Sequence, residues 1–293
     1  MTSAPAPTPV APPIAATSRR RRRGREVLRQ PLALVGLTIA LAWFVIAVAA
    51  PLIAPYDPLA QEFELLQSPS REHLFGTDEL GRDVLSRVIY GSRLSIPLAL
   101  LLVTVSATIG GLSGAAAGYF RGITDGVVMR VSDLVFAFPA IILAMVVTAV
   151  LGRGVRNAVL AIVIVSWPSY ARVVRGLVLS IGDSEYVQSA RLLGVSSRSA
   201  LRREVLPNVA GPVLVLATLD LGTAILLLSG LSFLGLGAQP PLPEWGALLT
   251  SARVYLVRAP WLVNFPGLAI LVTVLGLNLL GNALRDVLDP RLK

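Results

Sequence analysis

Six long apolar runs, at 31–54, 94–120, 131–151, 158–178, 212–236 and 261–284, constrain this chain more than any other feature. An α-helix rises about 1.5 Å per residue and a bilayer's hydrocarbon core is about 30 Å thick, so about 20 apolar residues suffice to cross it. Backbone N–H and C=O groups find no water in that core, which leaves helices or closed barrels as spanning structures. Runs without period-2 alternation favour helices. Composition agrees, with 54% hydrophobic and 15% charged residues, where a soluble domain carries about 25% charge. The sequence predicts an all-α integral membrane protein with six transmembrane helices.

Charge placement predicts the orientation. Six spans put both termini on one side. With the N-terminus inside, the cytoplasmic segments hold eighteen of the 26 basic residues, among them Arg19 to Arg23 ahead of the first run, and the outside segments hold eight. The positive-inside rule therefore favours N-in/C-in. The Arg run precedes an apolar stretch too long for a cleaved signal, so residues 31–54 read as an uncleaved first span. A nucleic-acid or nuclear-localisation arm is the weaker reading, because the charge flanks apolar spans and forms no face of a soluble fold.

The expected organisation follows. Residues 1–30 form a disordered cytoplasmic tail, Ala-, Pro-, Ser- and Thr-rich and then Arg-rich. Residues 31–54 are the first transmembrane helix and 55–93 an extracytoplasmic segment. Residues 94–284 form a five-helix core with a polar cytoplasmic loop at 183–208, and 285–293 a cytoplasmic tail. Gly110, Gly111, Gly114 and Gly118 in the second span are spaced to let helices approach closely. Residues 121–130 are expected as a short loop, 152–157 as a tight one, Pro168 as a kink and 237–260 as a Pro-rich loop.

Several chemistries are excluded. The chain has no Cys, hence no disulfide framework, thiolate nucleophile or Cys-based metal site. Its only Lys is Lys293. A P-loop needs an internal Gly-Lys-Ser/Thr to hold phosphates, so ATP hydrolysis by such a loop must lie in another subunit. No catalytic residue, cofactor or nucleic-acid partner is expected.

The loop EYVQSARLLGVSSRSALRREVLPN, residues 185–208, interrupts the apolar second half. It reads as a helix, a turn near Gly194, and a second helix stopped by Pro207. Asp183 or Ser184 can cap its start, with Glu185 favourable in the first turn. Tyr186, Ala190 and Leu193 share one face. Such a helix suits either a groove on a soluble partner or the surface of anionic lipid, and the residues alone do not separate the two.

Gln188-Ser189-Ala190, three residues, Gly194, nine residues and then Glu204-Val205-Leu206-Pro207 resembles the EAA signature of ABC-importer permeases: Glu-Ala-Ala, three residues, Gly, nine residues, Ile, any residue, Leu-Pro. Gly194, Leu206 and Pro207 keep the pattern; Gln188, Ser189 and Glu204 depart from it. HLFGTDELGRDVLSRVIYGSRLS (73–95), LSFLGLGAQPPLPEWG (231–246) and the ending LGNALRDVLDPRLK resemble blocks of dipeptide, oligopeptide and nickel permeases, in particular the second permease subunit. Leu228 stands where that family often has Glu, and Glu244 where it often has Ser.

The resemblance implies a multi-pass permease of the bacterial inner membrane, belonging to an ATP-driven importer for di- or oligopeptides. It implies a homologous second permease that shares the path, two cytoplasmic ATP-binding subunits gripping the EAA loop, and an extracytoplasmic solute-binding protein contacting 56–93 and 237–260. Glu185, Gln188, Ser189, Ala190, Gly194, Leu206 and Pro207 become the coupling residues. The rival is an ion-coupled secondary transporter or channel without ATPase partners, which has no reason to carry the Gly194-to-Pro207 spacing.

Three polar features remain. Asp78, Arg82 and Asp83 are expected to cap and pair ahead of the second span, with Gly76 and Gly81 in tight turns. One His73 among scattered carboxylates lacks metal-ligand spacing. Asp220 is the acidic residue well inside a span, where a carboxylate is costly and marks function by default. Two turns from Pro212, it reads as a structural pair or a group reaching interfacial water, ahead of contact with solute. Asn278 and Asn282 are candidates for interhelical hydrogen bonds, which makes Asp220 and Asn278 the candidate pathway or inter-subunit polar residues. Trp43, Trp167, Trp245 and Trp261 read as interfacial anchors.

Overall fold

The computed structural model describes residues 31–182, 199 and 206–288. Its helices are α1 (Pro31–Ile53), α2 (Val84–Phe120), α3 (Gly122–Phe136), α4 (Ala140–Leu151), α5 (Val155–Gly182), α6 (Leu206–Phe233), α7 (Trp245–Ala252) and α8 (Trp261–Leu288). A 3₁₀ turn, Arg253–Tyr255, follows α7. Among the described residues the sole β-type pairing is an isolated bridge between Thr77 and Asp83. Five helices are long and apolar enough to cross a membrane, and α3 with α4, bent by 92° at their break, bring the number to six where the pair crosses as one span rather than as a re-entrant loop. The all-helical, multi-span reading therefore holds among the described residues, with five or six candidate spans.

The break follows from local chemistry. Pro139 lacks an N–H and disfavours helical backbone at Phe138, so α3 ends at Phe136 and α4 restarts at Ala140. The stretch 121–130, expected as a loop, lies almost wholly within α3. Its charges hid it: Asp125 sits in the first helical turn, where a carboxylate favours helix, but the stretch is too polar to register as a span.

The second span also begins earlier than its apolar run. Asp83 caps α2 by accepting from Ser86 N at 2.8 Å, so helix starts at Val84 rather than near residue 94. Its polar first turns are buried in protein, with Arg87 4% exposed. The predicted loop at 237–260 contains α7, which Glu244 caps by accepting from Ala247 N at 3.0 Å.

Small residues set the helix spacing. A Cβ added at Gly110 would lie 2.2 Å from Trp167 O, at Gly114 2.3 Å from Ala171 O, and at Gly118 2.8 Å from Arg175 O. One glycine every four residues thus seats α2 directly on the backbone of α5. Gly111 faces open space and takes no part. Gly36 on α1 and Gly276 on α8 form a second close crossing, a Cβ at Gly36 falling 2.6 Å from Leu280 N. The main core joins α2, α5, α6, α7 and α8 around Leu102, Ile162, Ile225, Leu228 and Trp245. Leu228, noted for replacing a Glu, is 1% exposed in that core. Leu41, Phe44, Val48, Leu112, Val150, Leu226 and Leu271 are exposed; so much outward apolar surface suits lipid.

Trp245 corrects its reading as an anchor. It is fully buried, donates Nε1–H to Val88 O at 3.0 Å, and stands edge-on to Trp43 with centroids 4.9 Å apart. Trp261 donates to Thr77 O at 3.2 Å. Trp245 bolts α7 to the first turns of α2, and Trp261 bolts α8 to the residues leading into α2.

Candidate translocation site

The predicted polar residues fall into three places. The first is a knot ahead of α2. Asp78 Oδ1 accepts from Leu80 N at 2.9 Å and Arg82 N at 3.0 Å, and its Oδ2 accepts from Arg82 Nε at 2.7 Å. Arg87 Nε lies 3.5 Å from Asp78 Oδ2, and Arg87 donates to Pro58 O at 3.1 Å. Asp83 accepts from Ser86 N and Ser86 Oγ, each at 2.8 Å, and faces His73 Nδ1 at 3.0 Å, so that ring nitrogen carries the hydrogen. Gly76 and Gly81 adopt φ of 74° and 72°, conformations open to glycine. The expected capping and pairing is observed, and the knot is structural.

The second place is the junction of α5 and α6, from which residues 183–205 leave and return. Val174 and Val178 of α5 and Val209 of α6 form a small core with Ala115 and Tyr119, and Leu206 packs against it. Pro207 is exposed in the first turn of α6. Arg175 Nη2 donates to Asp125 Oδ2 at 2.6 Å while its Nε donates to Asp125 Oδ1. Arg172 Nη2 donates to Asp133 Oδ1 at 2.5 Å and its guanidinium lies over Phe136, 4.3 Å from the ring centre. These pairs tie α3 to the end of α5. Glu185, Gln188, Ser189, Ala190 and Gly194 lie outside the described residues.

The third place is a cavity of about 180 Å³ among α2, α5, α6 and the break between α3 and α4. Asp220, Thr223, Ala224 and Leu227 line it from α6, a single face at helical spacing. Ser166, Ser169 and Tyr170 line it from α5, Ser106 from α2, and Phe136 and Phe138 from either side of Ala137. Asp220 is at the midpoint of α6, Leu206–Phe233, about 20 Å from either end at about 1.5 Å per residue. The expected reach to interfacial water rested on a helix starting at Pro212; the helix starts six residues sooner.

The cavity's polar groups are left largely unmatched. Ser106 and Tyr170 are 0% and 1% exposed, and neither Ser106 Oγ nor Tyr170 Oη has a partner in hydrogen-bond geometry. The Tyr170 hydroxyl and the Asp220 carboxylate are close enough to interact, but without the alignment of a formed bond. Among the described residues, no basic side chain lines the cavity. Asn278 lies elsewhere: it packs on the other flank of α6, where a Cβ at Gly222 would come 3.2 Å from its Nδ2. The structure does not bring Asp220 and Asn278 together. Sequence reasoning missed Ser106, Ser166, Ser169, Tyr170 and Thr223, since isolated hydroxyls in an apolar run carry no signal beyond Pro168 between the two serines.

The helices enclose a cavity that carries one carboxyl and several hydroxyls in a mostly apolar wall, and comparison with known proteins specifies what kind of membrane protein this is. Residues 109–293 match the family described as binding-protein-dependent transport system inner membrane component. The chain belongs to that family. It is therefore a multi-pass permease subunit of the inner membrane. Residues 18–69 match the N-terminal transmembrane domain of oligopeptide transport permease C, which accounts for α1 standing outside the larger match. The dipeptide transport system permease protein DppC of Alkalihalophilus pseudofirmus is 41% identical over 292 residues, covering 98% of this chain and 96% of that protein. The glutathione transport system permease protein GsiD of Escherichia coli is 45% identical over 273 residues, covering 92% and 89%. Its Shigella sonnei counterpart has the same identity and coverage.

Proposed function

We propose that this permease is one of the two membrane subunits of an ATP-driven importer for short peptides, including glutathione-like ones. The observation that carries the reading is the length of the likeness to a dipeptide and a glutathione permease, 41% and 45% identical over nearly the whole chain. The missing internal Lys assigns ATP hydrolysis to partner subunits. Two such subunits grip residues 183–208, through Glu185, Gln188, Ser189, Ala190, Gly194, Leu206 and Pro207, and the matching loop of the second permease. With N-in/C-in orientation this loop faces the cytoplasm, where the basic residues concentrate.

The junction below the cavity suits that role. Residues 183–205 emerge from a packed core that joins α5 to α6, while the Asp125–Arg175 and Asp133–Arg172 pairs join α5 to α3. A push on the loop therefore reaches the broken span as a rigid displacement. At the other face, the Trp245 and Trp261 bonds hold the two extracytoplasmic segments, 56–93 and 237–260, together as a platform for a solute-binding protein. A homologous permease completes the path.

Co-purification in detergent tests the assembly. Stoichiometric recovery of this chain with a second permease and two ATPase subunits is expected. Recovery of this chain alone, still moving solute after reconstitution, would overturn the reading in favour of a secondary carrier or channel.

A further inference from the structure

A carboxylate in a bilayer's interior is retained where something compensates it. Asp220 has a hydroxyl neighbour in Tyr170 but no cationic partner among the described residues. The Arg residues nearest in sequence to Tyr170, Arg172 and Arg175, are engaged with Asp133 and Asp125. Around Asp220 stand Ser106, Ser166, Ser169, Tyr170 and Thr223, and two of these hydroxyls are buried without a partner. Buried polar groups in a finished core are satisfied; here a carboxyl and several hydroxyls, two of them in no formed bond, are held in an otherwise apolar wall instead. A carboxylate beside hydroxyls that can turn their lone pairs inward suits a group that brings a positive charge and several N–H donors.

We propose that the Asp220 cavity is a transit subsite for the α-ammonium end of the peptide, with Asp220 as counter-charge and the hydroxyls replacing its water shell. The inference rests on the peptide-importer reading. An α-amino group titrates near pH 8, so it is mostly charged at neutral pH. A cation crossing hydrocarbon must be solvated by the protein at each stage. The cavity's volume of about 180 Å³ is many times the roughly 10–15 Å³ that one water needs, so it has room for an amino end and a small side chain. Phe136 and Phe138 flank the break beside this volume, so movement of α3 against α4 alters its wall.

Two measurements on the complete importer in liposomes test the proposal. In the first, uptake of labelled Ala-Ala is compared for wild type, Asp220→Asn and Asp220→Glu. The asparagine variant should lose at least tenfold in uptake rate with assembly and ATP hydrolysis retained, and the glutamate variant should recover most of it. Unchanged uptake in Asp220→Asn overturns the subsite. Failure of the wild type to move either Ala-Ala or glutathione overturns the peptide reading itself, and the peptide ammonium with it. The second measurement does not depend on a peptide or on Asp220→Asn being active. The chain has no Cys, so Ser169→Cys provides a single thiol at the cavity, its modification followed by mass on this chain. A trimethylammonium-ethyl thiosulfonate should react at least tenfold faster than its sulfonate counterpart, and Asp220→Asn should abolish the difference. Equal rates, a preference unaffected by Asp220→Asn, or no reaction at all would each overturn it.

Discussion

Two acidic sites, both largely withdrawn from water, are treated in opposite ways. Ahead of α2, Asp78 and Asp83 are enclosed by Arg82, Arg87, His73 and Ser86, and each carboxylate accepts several directed bonds. At the midpoint of α6, Asp220 interacts with Tyr170 alone, and the hydroxyls beside it include two in no formed hydrogen bond. The first arrangement is nearly closed: both carboxylates are saturated with donors, and only Arg87 Nε, 3.5 Å from Asp78 Oδ2, lacks a formed hydrogen bond. The second is open. Desolvation that is fully compensated holds a fold together, whereas polar capacity left unmatched in a cavity is available to something passing through. The contrast separates the residues that position this permease from those proposed to meet the solute.

The largest effect is expected where the closed site is broken. Asp83→Ala leaves His73, Ser86 N and Ser86 Oγ without their acceptor and removes the cap of α2. Breaking a buried charged contact typically costs about 3–5 kcal/mol, so thermal unfolding of the detergent-purified complex should show a large loss of stability. A shift within error would mean that the knot is dispensable. Next in size is Gly114→Leu. Its Cβ would fall 2.3 Å from Ala171 O, a backbone atom, and overpacking of this kind costs about 1–3 kcal/mol. The same thermal assay should register it, while Gly111→Leu, which meets open space, should leave stability near wild type.

Glu244 lies between the two extremes. It is fully buried at the start of α7, and burial raises its carboxyl above the ordinary glutamate range; bonds from Gly246 N, Ser232 Oγ, Ala247 N and Ser95 Oγ pull it back in part. An unfolded glutamate ionises near pH 4.3. Above that value the folded chain still holds the proton that the unfolded chain has released, so this group's contribution to stability is full below it and is lost as pH rises through the raised folded value. Melting temperature measured across that window should decline for the wild type and flatten for Glu244→Gln. An identical slope in both would assign the decline to other groups. The smallest effect on stability belongs to the open site. Tyr170→Phe removes a buried hydroxyl with no formed bond, so stability should stay near wild type, while peptide uptake should fall severalfold. A large loss of stability with normal uptake per folded complex would reverse the comparison.

Legibility in the sequence followed the same division. Apolar run length located the five long spanning helices and the bent α3–α4 pair, because lipid demands about 20 apolar residues whatever their identity. The early start of α2 was hidden by Arg82, Asp83 and Arg87, charges that a hydropathy reading assigns to water and that the fold instead buries against one another. The break at residues 137–139 was averaged away within one apolar run. Trp245 read as an interfacial anchor because its hydrogen-bond partner, Val88 O, is 157 positions distant. Asp220 was recognisable as exceptional from its type and span alone. Its depth was not, since that depends on where α6 begins, and Leu206 precedes a proline that looked like the end of a loop. The hydroxyls around it become a site only when three helices and a break converge.

The coupling of this permease to ATP is the central claim, and Gly194 tests it most directly. In liposomes holding the complete importer, wild type should take up labelled dipeptide only when ATP is supplied to the side of residues 183–208. Gly194→Arg places a long charged side chain in the segment proposed to dock the ATPase, and it should abolish uptake while ATP hydrolysis continues uncoupled. Uptake by wild type without ATP, or undiminished ATP-driven uptake by Gly194→Arg, would contradict the account.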